Sequence, residues 1–240
     1  MPDAIFADPR LAAVYDALEG ERADLKAYLD IADELGAGRV LDVGCGTGCL
    51  ALLLAGTGRE VVGVDPAAAS LAIARSKEGA DRVAWVLGDA STVPAVGMDL
   101  AVMTGNVAQV FLTDDDWART LQGVHAALRP GGHLVFETRR PERRIWEEWA
   151  AGFGRSTYDI PGIGSVEQSS EVTDVSPPFV SFRGTYTFQS DGAVITSKST
   201  LRFRSRHEVE ESLAAHGFHV RDVREAPDRR GLEFVFLAQR

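Results

Sequence analysis

The stretch Arg39–Gly48, RVLDVGCGTG, constrains this chain more than any other. Val40-Leu41-Asp42-Val43 reads as a short strand with apolar residues on both sides of Asp42, the pattern of a strand covered on both faces in a parallel sheet. It runs into glycine at every second position, Gly44, Gly46 and Gly48. Such a loop turns sharply and lets the backbone approach a ligand that a Cβ would push away. Helix signals follow at once: Thr47 as the cap, then Leu50-Ala51-Leu52-Leu53-Leu54-Ala55, ended by Gly56 and Gly58. Strand, glycine loop and helix in this order predict a nucleotide-sized site at the carboxyl edge of a sheet.

The spacing chooses among ligands. A phosphate-gripping loop needs Lys-Ser/Thr after its last glycine, and here Cys49-Leu50 stands there. A dinucleotide loop needs glycine at its sixth place, which is Cys49. Asp42, two places before the first glycine, would repel a pyrophosphate and welcome an ammonium.

With its acid, spacer and Gly-x-Gly-x-Gly, the run Asp42-Val43-Gly44-Cys45-Gly46-Thr47-Gly48 resembles the first motif of the class I S-adenosylmethionine-dependent methyltransferases. Later segments fall at that family's distances. Asp65 ends a second strand, Glu60–Val64, twenty-one residues after Gly44; an acid there can accept both hydroxyls of a ribose, and Pro66 is expected to start the next helix. A third strand, 82–87, leads to Asp89-Ala90, which resembles the motif that receives the adenine amino group. A fourth, Met98–Met103, opens into Thr104-Gly105-Asn106, which the resemblance places beside the transferable methyl group. This last segment departs from Asp/Asn-Pro-Pro-Tyr/Phe, the form used on nucleic-acid bases and protein glutamine, which weakens those substrate classes. Tyr15 matches a tyrosine often found near the methionine end of the ligand and reads equally well as a core aromatic.

The remaining pattern is α/β. A helix over 113–128 is opened by Asp114-Asp115-Asp116 and carries Trp117, Leu121, Val124 and Leu128 on one face. Arg129-Pro130-Gly131-Gly132 ends it before a fifth strand, His133–Thr138, and this phrase also resembles the family. A helix over 206–216 and two strands near 218–223 and 232–237 complete the seven-stranded, mostly parallel, doubly wound sheet that the resemblance implies. Three parts are expected: an N-terminal helical cap over 1–36, a cofactor-binding core over 37–138 and 205–240, and a β-rich insertion over 139–204. Alternation in Phe179–Phe188 and Val194–Phe203, about a turn at Gln189–Gly192, marks the insertion as antiparallel. It resembles the arrangement in methyltransferases that act on sugar amines, where it would cover the substrate or join two copies in a homodimer.

Composition bounds the partners. Thirty-five acids against twenty-five bases give a net charge of −10, which argues against a nucleic-acid footprint; Arg139–Arg144 and Arg221–Arg230 are interleaved with acids and read as solvated faces. Cys45 and Cys49 have no third ligand nearby, so no metal is expected. No apolar run reaches membrane-spanning length, and the first residues lack a basic stretch before a hydrophobic one, so the cytoplasm is the expected compartment.

The resemblance thus implies an enzyme that binds S-adenosyl-L-methionine, releases S-adenosyl-L-homocysteine, and methylates nitrogen or oxygen of a small metabolite. Orientation supplies most of the barrier reduction in such a reaction, so no catalytic base need appear, and the sequence names none. The five histidines read as structural. The alternative is a non-catalytic protein that keeps the pocket as a sensor or partner-binding module; a nicotinamide-dependent oxidoreductase is disfavoured by Asp42 and Cys49.

Overall fold

The computed structural model describes residues 2–93 and 97–240. In chain order its elements are α1 (Ala4–Ala7), α2 (Pro9–Glu19), α3 (Leu25–Glu34), β1 (Arg39–Val43), α4 (Cys49–Gly56), β2 (Glu60–Asp65), α5 (Ala68–Ser76), β3 (Val83–Leu87) and β4 (Met98–Met103). There follow α6 (Asp114–Ala127), β5 (Leu128–Arg139), α7 (Trp146–Gly152), β6 (Arg155–Ile160), β7 (Gly164–Ser176), β8 (Phe179–Phe188), β9 (Val194–Arg202), α8 (Arg206–Ala215), β10 (His219–Glu225) and β11 (Glu233–Gln239). Among the described residues the strands form two sheets. One has seven strands in the order β3-β2-β1-β4-β5-β11-β10, parallel except for β11. The other is an antiparallel sheet, β6-β7-β8-β9.

The central strands are apolar throughout because both faces are covered. Val40, Leu100, Val102 and Val135 point to one face, under α3 and α4, with Leu25, Tyr28, Leu50 and Leu54. Leu41, Ala101, Met103, Leu134 and Phe136 point to the other, where Trp117, Leu121 and Val124 of α6 and Val209 and Leu213 of α8 meet them. Trp117 stands edge-on to Phe136, which stacks on Phe236.

Helix ends show local chemistry. Thr113 caps α6 through the Asp116 N–H, and three aspartates fill its first turn, where the helix dipole is positive. Ser205 and Glu208 form a reciprocal capping box on α8, with Glu208 N–H donating to Ser205 Oγ at 3.2 Å and Ser205 N–H to Glu208 Oε2 at 2.7 Å. Ser205→Ala should cost about 1 kcal/mol, read as a lower urea midpoint at unchanged slope.

Several expectations are corrected. The helix after the glycine loop is capped by Gly48 in the left-handed region (φ 80°), and Thr47 is not its cap. Pro66 does not start α5; that helix begins at Ala68, because the Asp65 carboxylate takes the Ala67 N–H and holds the intervening residues in a bend. Arg82 belongs to a short 3₁₀ turn before β3. Leu128 is already strand, and Arg129–Gly132 bulge out of β5: Met98 pairs with Leu128 but Leu100 with His133. Within the insertion expected over 139–204, β6 and β7 precede the two strands that the alternation marked, and a short helix, α1, precedes α2.

α1 and α2 pack their apolar face on the antiparallel sheet, Leu11 and Val14 against Val166, Tyr186 and Phe188. Ser197 Oγ accepts from Ile5 N–H at 2.9 Å, and Arg10 makes a two-pronged pair with Asp191 at 2.9 and 3.1 Å.

Candidate functional site

The glycine loop leaves β1 at its carboxyl edge. Gly44 and Cys45 donate backbone N–H to Val64 O at 2.8 and 3.1 Å, which locks the loop to the end of β2. Gly44 (φ 72°) lies so close to Val107 that an added Cβ would come within 2.7 Å of its methyl group. Gly46 (φ 53°) differs: among the described residues other than its chain neighbours, no heavy atom lies within 4 Å of where its Cβ would be. Gly48 is pressed on Trp85. Thr47 donates to Asp16 Oδ1 at 2.5 Å, and Lys77 Nζ pairs with Asp16 Oδ2 at 2.5 Å, so α2 is fastened to the loop.

Two buried carboxylates flank this loop. Asp42 is 1% exposed, and its Oδ1 has no hydrogen-bond partner among the described residues. Burial, with the Asp65 charge beside it, pushes its pKa up to about 7. Asp65 takes the Gly46 N–H on Oδ2 at 2.8 Å and the Ala67 N–H on Oδ1 at 2.7 Å; burial raises its pKa and these two bonds oppose the rise. Each of its oxygens keeps a lone pair for a further donor.

The other predicted residues lie along the same edge. Asp89 is exposed just past β3, accepting from Ser91 N–H at 2.9 Å, and Ala90 beside it is buried. Thr104, Gly105 and Asn106 follow β4, with Gly105 (φ 74°) and Asn106 (φ 61°) both left-handed. Tyr15, on α2, packs on Phe6 at 5.4 Å between ring centres, and burial raises its hydroxyl pKa. Burial likewise raises the Cys45 thiol, and Cys49 is a free thiol 3.4 Å from Lys77 Nζ. Among the described residues no group of three metal-ligating side chains forms, and no helix is long and apolar enough to cross a membrane.

The structure adds residues that the sequence reading gave no role. Glu137, near the end of β5, is 3% exposed. Its Oε1 accepts the Asn106 N–H at 2.7 Å and its Oε2 the Tyr28 hydroxyl from α3. Glu233, on the neighbouring β11, accepts from Asn106 Nδ2 at 3.1 Å and from Arg229 at 2.9 Å, with Arg139 at 3.7 Å. Arg139 therefore does not lie on a solvated face: it sits over Trp149, 5.0 Å from the ring centre, and also donates to Gln109 Oε1 at 3.1 Å. One signal was available: Glu137 is the only acid in the apolar run Leu134–Glu137.

Residues 40–132 match the family described as a methyltransferase domain. A putative methyltransferase of Geobacillus sp. is 33% identical over 95% of this chain and 94% of its own length. The chain belongs to the class I S-adenosylmethionine-dependent methyltransferase family. An amino pentose methyltransferase of Micromonospora echinaspora, solved with S-adenosylmethionine bound, is 26% identical, with a TM-score of 0.71 and 95% of each chain covered. A malonyl-[acyl-carrier protein] O-methyltransferase of Pectobacterium atrosepticum is 32% identical over 54% of this chain. The chain spans about half the length of that relative, the similarity covering 50% of it.

Proposed function

We propose that this methyltransferase-family chain binds S-adenosyl-L-methionine along the carboxyl edge of β1, β2, β3 and β4 and transfers its methyl group to a nitrogen or oxygen of a small molecule. The observation that carries the reading is the buried Asp42 oxygen without a hydrogen-bond partner among the described residues, on the strand that leads into a glycine loop open at Gly46. An unpaired carboxylate oxygen in such a place costs stability unless a donor reaches it, and a ligand ammonium is such a donor.

The residues present fit the cofactor. Asp42 and the loop Gly44–Gly48 would hold the amino-acid end, with Tyr15 above it from α2. Asp65 would take the ribose hydroxyls, and Asp89 with Ala90 the adenine edge. Thr104, Gly105 and Asn106 would line the methyl end. The bound sulfonium supplies an electrophilic methyl group and a neutral leaving sulfur. What remains for the chain is to orient the acceptor and exclude water. The β6–β9 sheet, tied to α1 and α2 through Ser197 and Asp191, would form the outer wall of the acceptor space.

Isothermal calorimetry with S-adenosylmethionine and S-adenosylhomocysteine tests this, and no heat at millimolar ligand would overturn it. Asp65→Ala sharpens the test. Because Asp65 fixes the backbone of Gly46 and Ala67, its loss should cost about 1–3 kcal/mol of stability as well as about tenfold or more in cofactor affinity. Full affinity in a destabilised variant would leave Asp65 a purely structural role.

A further inference from the structure

Glu137 and Glu233 stand on neighbouring strands of one sheet, Glu137 opposite Val235, two residues along β11 from Glu233. Both are buried beneath the loop that follows β4. Their electrostatics differ. Glu233 has Arg229 and Arg139 as ion-pair partners, whereas Glu137 has none among the described residues, only the Tyr28 hydroxyl and the Asn106 N–H. A buried carboxylate without a cation is costly, and structures keep such groups where a positive ligand or a proton arrives.

Asn106 supplies a second, independent sign. Its side chain is 2% exposed, its Nδ2 is spent on Glu233, and its Oδ1 has no hydrogen-bond partner among the described residues. The residue is also held at φ 61°, in the left-handed region that asparagine enters more readily than most non-glycine residues, and is bonded to both glutamates. Side-chain alternation places Glu137 on the same face of the sheet as Asp42, at the same carboxyl edge. The Asn106 amide oxygen thus awaits an N–H or O–H donor, and each Glu137 oxygen, already accepting one bond, keeps a lone pair for another.

We infer that the methyl acceptor is an amine, held as its ammonium by Asn106 Oδ1 and Glu137, and that Glu137 takes the proton that must leave before the nitrogen can act as nucleophile. This rests on the function proposed above and narrows it. The step balances: the N–H bond breaks, an O–H bond forms on Glu137, and the nitrogen keeps the electron pair, which then forms the new N–C bond. An alcohol would not be served, since a carboxylate is far too weak a base to free an alkoxide. The proton has an exit, because Glu137 and Tyr28 also line a cavity of about 200 Å³ between α3 and the β10–β11 turn.

Glu137 is suited to the exchange at neutral pH. Burial pushes its pKa up to about 7, while Tyr28 and the Asn106 N–H oppose the rise. The charged or titratable groups facing it are Tyr28 from α3, Asp42 from β1, Glu233 from β11, Arg229 from the β10–β11 turn and Arg139 on its own strand. Asp42 titrates in the same range, so the two must be separated by substitution.

The test uses the full chain with S-adenosylhomocysteine and carbon-13-labelled glutamate. The Glu137 carboxyl resonance, assigned by its loss in Glu137→Gln, should titrate near pH 7 in the wild type and in Asp42→Asn. Methylammonium chloride should lower that midpoint and methanol should leave it in place; a midpoint unmoved by methylammonium overturns the proposal. In parallel, the wild type is assayed with S-adenosylmethionine against primary amines and matched alcohols. Methylated amines are expected, with Glu137→Gln at least a hundredfold slower, Glu137→Asp intermediate, and cofactor affinity within twofold of wild type in both. Transfer only to alcohols, transfer to no amine, or an undiminished Glu137→Gln would each refute it. Failure of the wild type to bind S-adenosylmethionine would instead overturn the broader function.

Discussion

Asp42→Asn is expected to make the ligand-free protein more stable at pH 8 and a poorer binder of S-adenosylmethionine. In the folded chain burial, with the Asp65 charge, pushes the Asp42 pKa up to about 7 from an ordinary value of 3.8, and the Ala51 backbone N–H only partly opposes the rise. A carboxyl raised in this way contributes its full share of stability below its unfolded pKa and loses it as pH climbs through the folded one. The gap of about three units corresponds to about 4 kcal/mol at most, and an amide, itself costly to bury, should recover about 1–3 kcal/mol of it. The thermal midpoint at pH 8 should therefore rise by about 2–10 °C, and the gain should shrink towards pH 4. Cofactor affinity should fall by about 10–100-fold, the worth of a charge-assisted hydrogen bond. A lower midpoint at pH 8 would show that the carboxylate has a partner in solution. An unchanged dissociation constant would detach it from the ligand.

Gly123→Ala should be the most damaging small change in the core. Gly123 lies within α6, where alanine is the better helix former by about 1 kcal/mol. Its Cβ, however, would come within 2.4 Å of Ala90 O and 2.8 Å of Ser91 N. Backbone cannot step aside as a flexible side chain can, so α6 and the Asp89–Ala90 segment must separate, and the net loss should be about 2–3 kcal/mol. The chemical-denaturation midpoint will report it. Because Asp89 and Ala90 are the segment proposed to meet adenine, cofactor affinity should fall as well. A variant as stable as wild type would mean that α6 shifts freely, against the packing of Trp117, Leu121 and Val124 described above.

Much of this arrangement was legible in the residues because its signals are local. The loop Gly44–Gly48 follows its strand directly, Asp65 and Asp89 stand at strand ends, and Asp114-Asp115-Asp116 mark the first turn of α6. What escaped depends on distant partners. Tyr28 lies in the N-terminal helical cap with no local signal of its own, and only the fold brings it to Glu137, 109 residues away. Arg139 sat in a basic cluster that looked solvated until Trp149, Gln109 and Glu233 closed around it. β7 is mostly half-buried or exposed, and Ser165–Ser176 carries polar side chains on both faces, so no alternation announced it. Pro66 misled for the opposite reason: proline suits a first helical turn, but the Asp65 carboxylate claimed the following N–H first.

One helix, α2, touches both halves of the molecule: its Leu11 and Val14 are buried with Phe188 of the outer sheet, while its Asp16 grips Thr47 and Lys77 beside the glycine loop. Whatever loosens that helix at one end is felt at the other. Substitutions far out in the outer sheet are therefore expected to change the residence time of the cofactor proposed to sit on the loop, without altering a single atom proposed to touch it.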